Sequence, residues 1–304
     1  MSENFKKGFF EVLENLHHRT GFDFTQYKKN TLERRVGVRM QRLGIPDYEG
    51  YAAYMREHPE ESQELVGTLA INVTELFRNP ELFSALRDKV VPTIVELKKR
   101  KKHRIIRVWS CGCSEGDEAF SVAILLKEAL GGELNNFIFT VIATDIDAGA
   151  IRKARNKIYT EDQISAIGAK IVEKYFVRIE GGFKLKEDIK GSVRFRQHDV
   201  TKNAPFRYND IILCRNVMIY FNRELQEETM LKFYECLNPG GFFILGMCET
   251  LAGSAAKKYR NFDSSLRIYA RPLEDNILFP EMTGKLPQES IDLIVKGLLP
   301  GGER

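Results

Sequence analysis

No apolar run in these 304 residues reaches the roughly 20 residues that a membrane-spanning helix needs, so no such helix is expected. The first residues are too polar for a secretory signal, and a cytoplasmic location is the expectation. Cysteine is scarce: Cys111 and Cys113 are one residue apart, Cys214, Cys236 and Cys248 stand alone, and no C-x-x-C occurs. That spacing argues against a zinc site, so no metal is expected, and an odd number of cysteines in largely apolar runs suits reduced thiols. Charge of one sign is not in excess. The net charge is +4, from 46 Lys and Arg against 42 Asp and Glu, and no basic stripe is interleaved with aromatics. Nucleic acid is therefore not an expected partner. The dinucleotide pattern G-x-G-x-x-G is missing, as is any Ser/His/Asp or Cys/His arrangement for nucleophilic catalysis, and none of the five histidines, His17, His18 and His198 included, is given a catalytic role.

What is present is organised around VWSCGCSEGDEAFS, residues 108–121. An apolar run at 105–109 leads into a turn through Gly112 and Gly116, and Ala119, Val122, Ala123, Leu126 and Leu130 follow at helical spacing. Strand, glycine turn and helix make the opening unit of a nucleotide-binding α/β sheet, although a purely structural turn has the same pattern. Asp145 closes a second apolar run at 137–144, where such folds hold ribose hydroxyls. A third run, DIILCRNVMIYF at 210–221, begins as a buried strand and becomes polar at Arg215 and Asn216, at the end where open α/β sheets bind ligands.

Residues 1–70 read as helices. Phe5, Phe9, Val12 and Leu16 share one stripe; Leu32, Val36, Met40 and Leu43 share another, with Thr31 as its expected N-cap; Asp47 can cap a third helix, and Leu65, Val66, Leu69 and Val73 mark a fourth. Residues 19–43 carry seven Lys or Arg against two acids, and Arg35, Arg39 and Arg42 fall on one helix face. That face is either a solvated surface or a docking surface for an acidic partner. A basic run occupies 98–107. Further on, 175–179, a Gly181-Gly182 turn, 183–186 and 193–197 read as a small inserted β unit. A helix at 225–237, a turn at 238–241 and strands at 242–247 and 262–270 follow, and a short helix is expected near 288–298.

Four blocks, INVTELFRN at 71–79, VWSCGCSEGDEAFS, ATDID at 143–147 and LCRNVMIYF at 213–221, together resemble the CheR chemotaxis receptor methyltransferases. The resemblance covers about residues 5–271 in colinear order. It implies an all-α N-terminal docking domain at 1–72, a linker and lead-in helix at 73–104, a Rossmann-like α/β S-adenosylmethionine domain at 105–273 with a β subdomain inserted at about 175–197, and a C-terminal tail at 274–304. The implied reaction is O-methylation of glutamate side chains on the cytoplasmic helical bundles of chemoreceptors, giving glutamate methyl esters and S-adenosylhomocysteine. Carried over by motif, the cofactor contacts are Asn72, Thr74, Arg78, Glu118, Asp145, Asp199, Val200, Asn216 and Val217, with Arg78 and Tyr220 at the methyl-transfer centre and Arg35, Arg39 and Arg42 on the receptor. Asp199 stands where many members have Asn. Some members grip a receptor pentapeptide with the β subdomain. Here the link IEGGF at 179–183 is shorter than in those members, so independence from such a tether is expected. A monomer is expected by default. A methyltransferase of similar fold acting on RNA or a small molecule, and a cofactor-binding adaptor without transfer activity, remain the alternatives.

Overall fold

The computed structural model describes residues 3–202 and 205–273; the tail at 274–304 and the helix expected within it lie outside the described residues. The chain begins with four helices, α1 (Glu3–Thr20), α2 (Lys29–Leu43), α3 (Tyr48–Glu57) and α4 (Glu61–Leu69). Their apolar stripes meet in one core, where Val12, Leu16, Val36, Tyr51, Met55, Leu65 and Val66 are buried. Asp47 caps α3 by accepting from the Gly50 N–H, as its position suggested. Thr31 does not cap α2. That helix starts three residues earlier, with Lys28 before its first turn, where the Lys28 N–H donates to the Tyr220 carbonyl and so fixes the chain.

A helix of two parts, α5 (Pro80–Ala85) and α6 (Val91–Arg100), is joined through one wider π turn at Leu86–Val90. It delivers the chain to β1 (Ile105–Cys111), after which come α7 (Asp117–Leu130), β2 (Ile138–Asp145) and α8 (Ala148–Arg155). The short helices α9 (Glu161–Ser165) and α10 (Ala169–Tyr175) lead to the hairpin β3 (Phe176–Ile179) and β4 (Gly182–Leu185), and α11 (Glu187–Lys190) then precedes β5 (Val193–Gln197). The last segment runs β6 (Asn209–Cys214), α12 (Arg223–Cys236), β7 (Leu237–Leu245), α13 (Ala255–Lys258), β8 (Arg260–Asp263) and β9 (Ile268–Ala270).

Seven strands form one sheet in the order β5-β2-β1-β6-β7-β9-β8. β5, β2, β1, β6 and β7 are parallel, and β9 pairs antiparallel with both β7 and β8. The central strands are apolar on both faces, as a sheet covered by helices on both sides requires.

Three strand assignments differ from expectation. Val193–Gln197 does not join the inserted hairpin; it is the edge strand of the main sheet, in parallel register with β2 from Val141↔Val193 to Asp145↔Gln197, because Val193 and Phe195 bury into the main core. The hairpin is thus two strands only, turning at Glu180 and Gly181, with Gly182 already paired to Ile179. Asn238–Gly241, expected as a turn, is extended within β7: Gly240 and Gly241 exchange backbone hydrogen bonds with Arg271, and Leu237 pairs with Asn209. The expected strand at 262–270 is interrupted at 264–267 and becomes β8 and β9.

The helical unit packs against the ligand end of the sheet. An antiparallel bridge joins Tyr27 to Phe221, and the Asn222 N–H donates to the Gln26 carbonyl. The segment 69–78 crosses the top of the parallel strands, so helical unit and sheet together enclose one cleft.

Candidate functional site

The cleft lies at the C-terminal ends of β1, β2 and β6 and encloses about 1000 Å³ of free space, open mouth included. Its floor is the turn after β1. Gly112 has φ +67°, and a Cβ there would overlap Cγ2 of Val217, so only glycine fits. Gly116 (φ +90°) immediately precedes α7. Between them Ser114 also takes a positive φ and donates its N–H to Oδ2 of Asp145 at 2.8 Å. Oδ1 of Asp145 accepts from the Asp147 N–H at 2.9 Å. Burial pushes the Asp145 carboxyl above its usual range, against the opposing pull of these backbone donors. Each oxygen keeps a lone pair for a further donor.

The adjacent wall comes from 198–200, after β5. Oδ1 of Asp199 accepts from the Thr201 N–H (3.0 Å) and hydroxyl (2.6 Å), while Oδ2 is buried and has no partner among the described residues. His198 joins this wall to Asp145 by donating its N–H to the Asp145 carbonyl, and its ring lies near Trp109 and Phe206. A buried unpaired carboxylate oxygen calls for a donor. The exocyclic amine of an adenine would meet that need, and the ribose hydroxyls would meet the free lone pairs of Asp145. The donor and acceptor set of the cleft therefore fits an adenosyl cofactor.

The opposite wall is an ionic lattice. Ser110 donates to Oε1 of Glu118 (2.7 Å), and Nη1 of Arg215 lies 3.2 Å from Oε2. Nη2 of Arg215 continues to the Arg78 carbonyl (3.2 Å) and to Oδ1 of Asn79. Arg215 thereby ties segment 71–79 to the turn after β6. Arg78 itself donates to the Val73 carbonyl (3.2 Å), and among the described residues the rest of its fork has no partner at the mouth. Asn72 donates to Oδ2 of Asp147 at 2.7 Å. Asn216 sits at φ +61° because Glu249 holds its turn: Oε2 accepts from the N–H of Asn216 (2.9 Å) and Oε1 from that of Ile219 (3.2 Å). Tyr220 is half-buried beside this turn, and burial raises its pKa, so its phenol is neutral at physiological pH.

Asn72, Thr74, Arg78, Glu118, Asp145, Asp199, Val200, Asn216, Val217 and Tyr220 all line this one cleft. Arg35, Arg39 and Arg42 do not; with Arg152 and Lys153 they line a neighbouring groove between the helical unit and α8. Arg39 departs further from expectation. Its Nε and Nη2 make a two-pronged pair with Glu61 (2.7 and 2.6 Å), to which Tyr51 also donates (2.6 Å), so its guanidinium is committed inside the domain. Sequence reasoning placed Arg215 at the ligand end of its strand without giving it a role, and missed Glu249 and Ser114 as organisers of the site. Arg215 and Ser114 lie inside the quoted motifs, whereas Glu249 lies beyond β7 with no local signal. Among the described residues no group of three or more His, Cys, Asp or Glu side chains is placed to hold a metal ion. All five cysteines are free thiols, and all but Cys248 are buried. No helix among the described residues is long and apolar enough to cross a membrane.

Comparison with known proteins agrees with this geometry. Residues 72–268 match the family model described as CheR methyltransferase, SAM binding domain, and residues 7–70 match CheR methyltransferase, all-alpha domain. Chemotaxis protein methyltransferase 2 of Vibrio cholerae is 31% identical over 250 residues, 80% of this chain and 85% of that protein. The chemotaxis protein methyltransferase of Borreliella burgdorferi is 29% identical over 82% of this chain and 89% of its own length, and that of Salmonella typhimurium 28% over 80% and 84%. Among solved structures, the glycopeptide N-methyltransferase MtfA in complex with S-adenosylmethionine aligns with 51% of this chain and 53% of its own, at 14% identity and a TM-score of 0.30. With both of its domains matched in order and a cleft suited to an adenosyl group between them, the chain belongs to the CheR methyltransferase family, and it is an S-adenosylmethionine-dependent protein methyltransferase of chemotaxis.

Proposed function

We propose that this enzyme methylates glutamate side chains on the cytoplasmic helices of chemoreceptors, forming glutamate methyl esters, and that it does so without a tethering pentapeptide. The observation that carries the reading is a single cleft that joins the adenosyl-suited acceptors Asp145 and Asp199 to Arg78 and Tyr220. When bound, S-adenosylmethionine supplies a methyl group on a sulfonium, which is itself a good leaving group. A glutamate side chain in water titrates at about 4.3 and is already ionised at pH 7, so the protein need not remove a proton. Its task is placement, in which an oriented carboxylate gains through proximity. Asp145 and Asp199 would hold the adenosyl end, and Glu118 and Arg215 fix the wall on the side of the mouth. The free part of the Arg78 fork orients the incoming carboxylate, and the neutral Tyr220 hydroxyl borders the transfer point.

Arg35 and Arg42 offer the receptor bundle a basic face, joined by Arg152 across the groove, while Arg39 supports them from within. In the inserted hairpin, Tyr159 already pairs with Phe183 on the free edge of β4. That occupied edge and the two-residue turn support independence from an added peptide strand.

Incubation with methyl-labelled cofactor and receptor cytoplasmic fragments tests the reaction. Base-labile label on receptor glutamates is expected; label on RNA alone, or cofactor binding without transfer, would overturn it. Titration with a pentapeptide copied from a tether-bearing receptor tests the second part. Low-micromolar binding that substitution of Gly181 or Gly182 abolishes would show a tether site.

A further inference from the structure

The basic run at 98–107 has no part in the cleft. It lies at the other end of the sheet, where β1, β2, β6 and β7 begin. Its first members are neutralised locally: Lys98 pairs with the buried Asp210 (2.8 Å), Lys99 with Glu133 (2.7 Å) and Arg100 with Glu96 (3.0 Å). The next members are not. Among the described residues Lys101, Lys102, Arg104 and Arg107 have no carboxylate within salt-bridge reach, and Lys101, Lys102, His103 and Arg104 are exposed.

Three of the largest exposed apolar side chains of the molecule stand at this same rim: Ile138 (70% exposed), Tyr208 (66%) and Ile105 (44%). Their positions are fixed by the sheet. Ile105 is the Cα partner of Ile138, whose N–H donates to the Arg104 carbonyl. Tyr208, in a left-handed conformation just before β6, lines one depression together with Ile105, Lys101, His103 and Arg107. Isolated exposed apolar residues need no explanation, but two isoleucines and a tyrosine ringed by unpaired cations form an amphipathic surface. The cations attract an anionic layer, and apolar and aromatic tips enter the boundary beneath it.

We propose that this end of the sheet is a docking surface for an anionic lipid membrane, reversibly engaged by Lys101, Lys102, Arg104 and Arg107 with Ile105, Ile138 and Tyr208 inserted. β1 has seven residues, so the surface lies about 20 Å from the cleft and faces away from it. The cleft mouth stays open while the protein is docked. An acidic protein would satisfy the cations, but it gives no reason for apolar tips projecting from among them.

The test uses the full-length chain and sedimentation with vesicles of phosphatidylcholine alone or with about one-third phosphatidylserine, near physiological salt. Binding to the anionic vesicles only is expected. Each surface cation contributes about fivefold to such partitioning, so Lys101→Gln, Lys102→Gln and Arg104→Gln together should lower it on the order of a hundredfold. Ile138→Ser with Tyr208→Asn should also lower it severalfold, and Asn tolerates the left-handed backbone at 208. Cofactor affinity should be unchanged in every variant, which reports an intact fold. No preference for anionic vesicles overturns the proposal. So does binding that follows the cations but ignores Ile138 and Tyr208 and is matched by polyglutamate, which would assign the surface to an acidic protein.

Discussion

Replacing Arg39 with alanine should destabilise the helical unit without touching the cofactor site. Glu61 opens α4 and is only 2% exposed. Its two oxygens accept from Nε and Nη2 of Arg39 and from the Tyr51 hydroxyl, and burial together with the Glu61 hydrogen bond raises the Tyr51 pKa. In Arg39→Ala the carboxylate keeps a single neutral donor in a buried setting. Breaking a buried ion pair from one side costs about 3–5 kcal/mol. The Arg39 side chain keeps 16% of its surface in water, and solvent can follow its removal, so the lower end, about 3 kcal/mol, is expected. At about 2–4 °C per kcal/mol, the thermal midpoint should fall on the order of 10 °C. Circular dichroism melts at neutral pH give the midpoint, and calorimetry should find cofactor affinity unchanged. The double variant Arg39→Leu, Glu61→Leu should recover most of the loss, since no buried charge remains; the orphaned Tyr51 hydroxyl would retain a deficit of about 1 kcal/mol. An Arg39→Ala midpoint within a degree of wild type, or a double variant as unstable as the single one, would refute the reasoning. By contrast, Arg35→Glu with Arg42→Glu should leave the midpoint in place and raise the receptor Michaelis constant, an effect that fades at high salt.

Asp145→Ala should weaken S-adenosylmethionine binding about tenfold or more by calorimetry, because hydrogen bonds to a charged acceptor contribute about 1.5–3 kcal/mol; unchanged affinity in a folded variant would remove Asp145 from the site. Arg78→Ala and Tyr220→Phe should each lower turnover at saturating cofactor and receptor while leaving the melting midpoint near wild type, and wild-type rates in both would cancel their assigned roles. Gly112→Ala forces a side chain into a positive-φ position against Val217, so both stability and cofactor affinity should fall, as a melt and a cofactor titration would show. Burial lowers the pKa of His198, so the unfolded chain takes up a proton that the folded one refuses as pH falls below about 6.5, and stability declines there. His198→Gln should flatten that part of the pH–stability curve; an unaltered slope would mean that His198 is not its source.

Periodicity and turn chemistry determined the elements of this protein. Apolar stripes placed the four N-terminal helices, although Val73, assigned to the fourth stripe, lies beyond α4 and is exposed; Asp47 marked a true cap, and the strand–glycine–helix passage at 105–130 sits where the residues put it. These are local properties, since a 3.6-residue stripe or a positive-φ glycine is written into a few neighbouring residues. The motif blocks also named side chains that share a single cleft: three of them end β1, β2 and β6, whose ends the parallel sheet brings together, and the fourth, at 71–79, crosses above those ends between α4 and α5.

Partnership between distant residues was decided only in three dimensions. Val193–Gln197 looks like any short strand, and its place at the sheet edge follows from packing against β2. Asn238–Gly241 has the composition of a turn, yet Arg271 on a later strand supplies the hydrogen bonds that keep it extended. Arg39 shares a helix face with Arg35 and Arg42, and nothing local reveals that Glu61, 22 residues on, takes its guanidinium. Glu249 carries no motif, and it organises the Asn216 turn because strand order brings the ends of β6 and β7 together. A side chain's type limits the bonds it can make, and the fold alone decides which of them form.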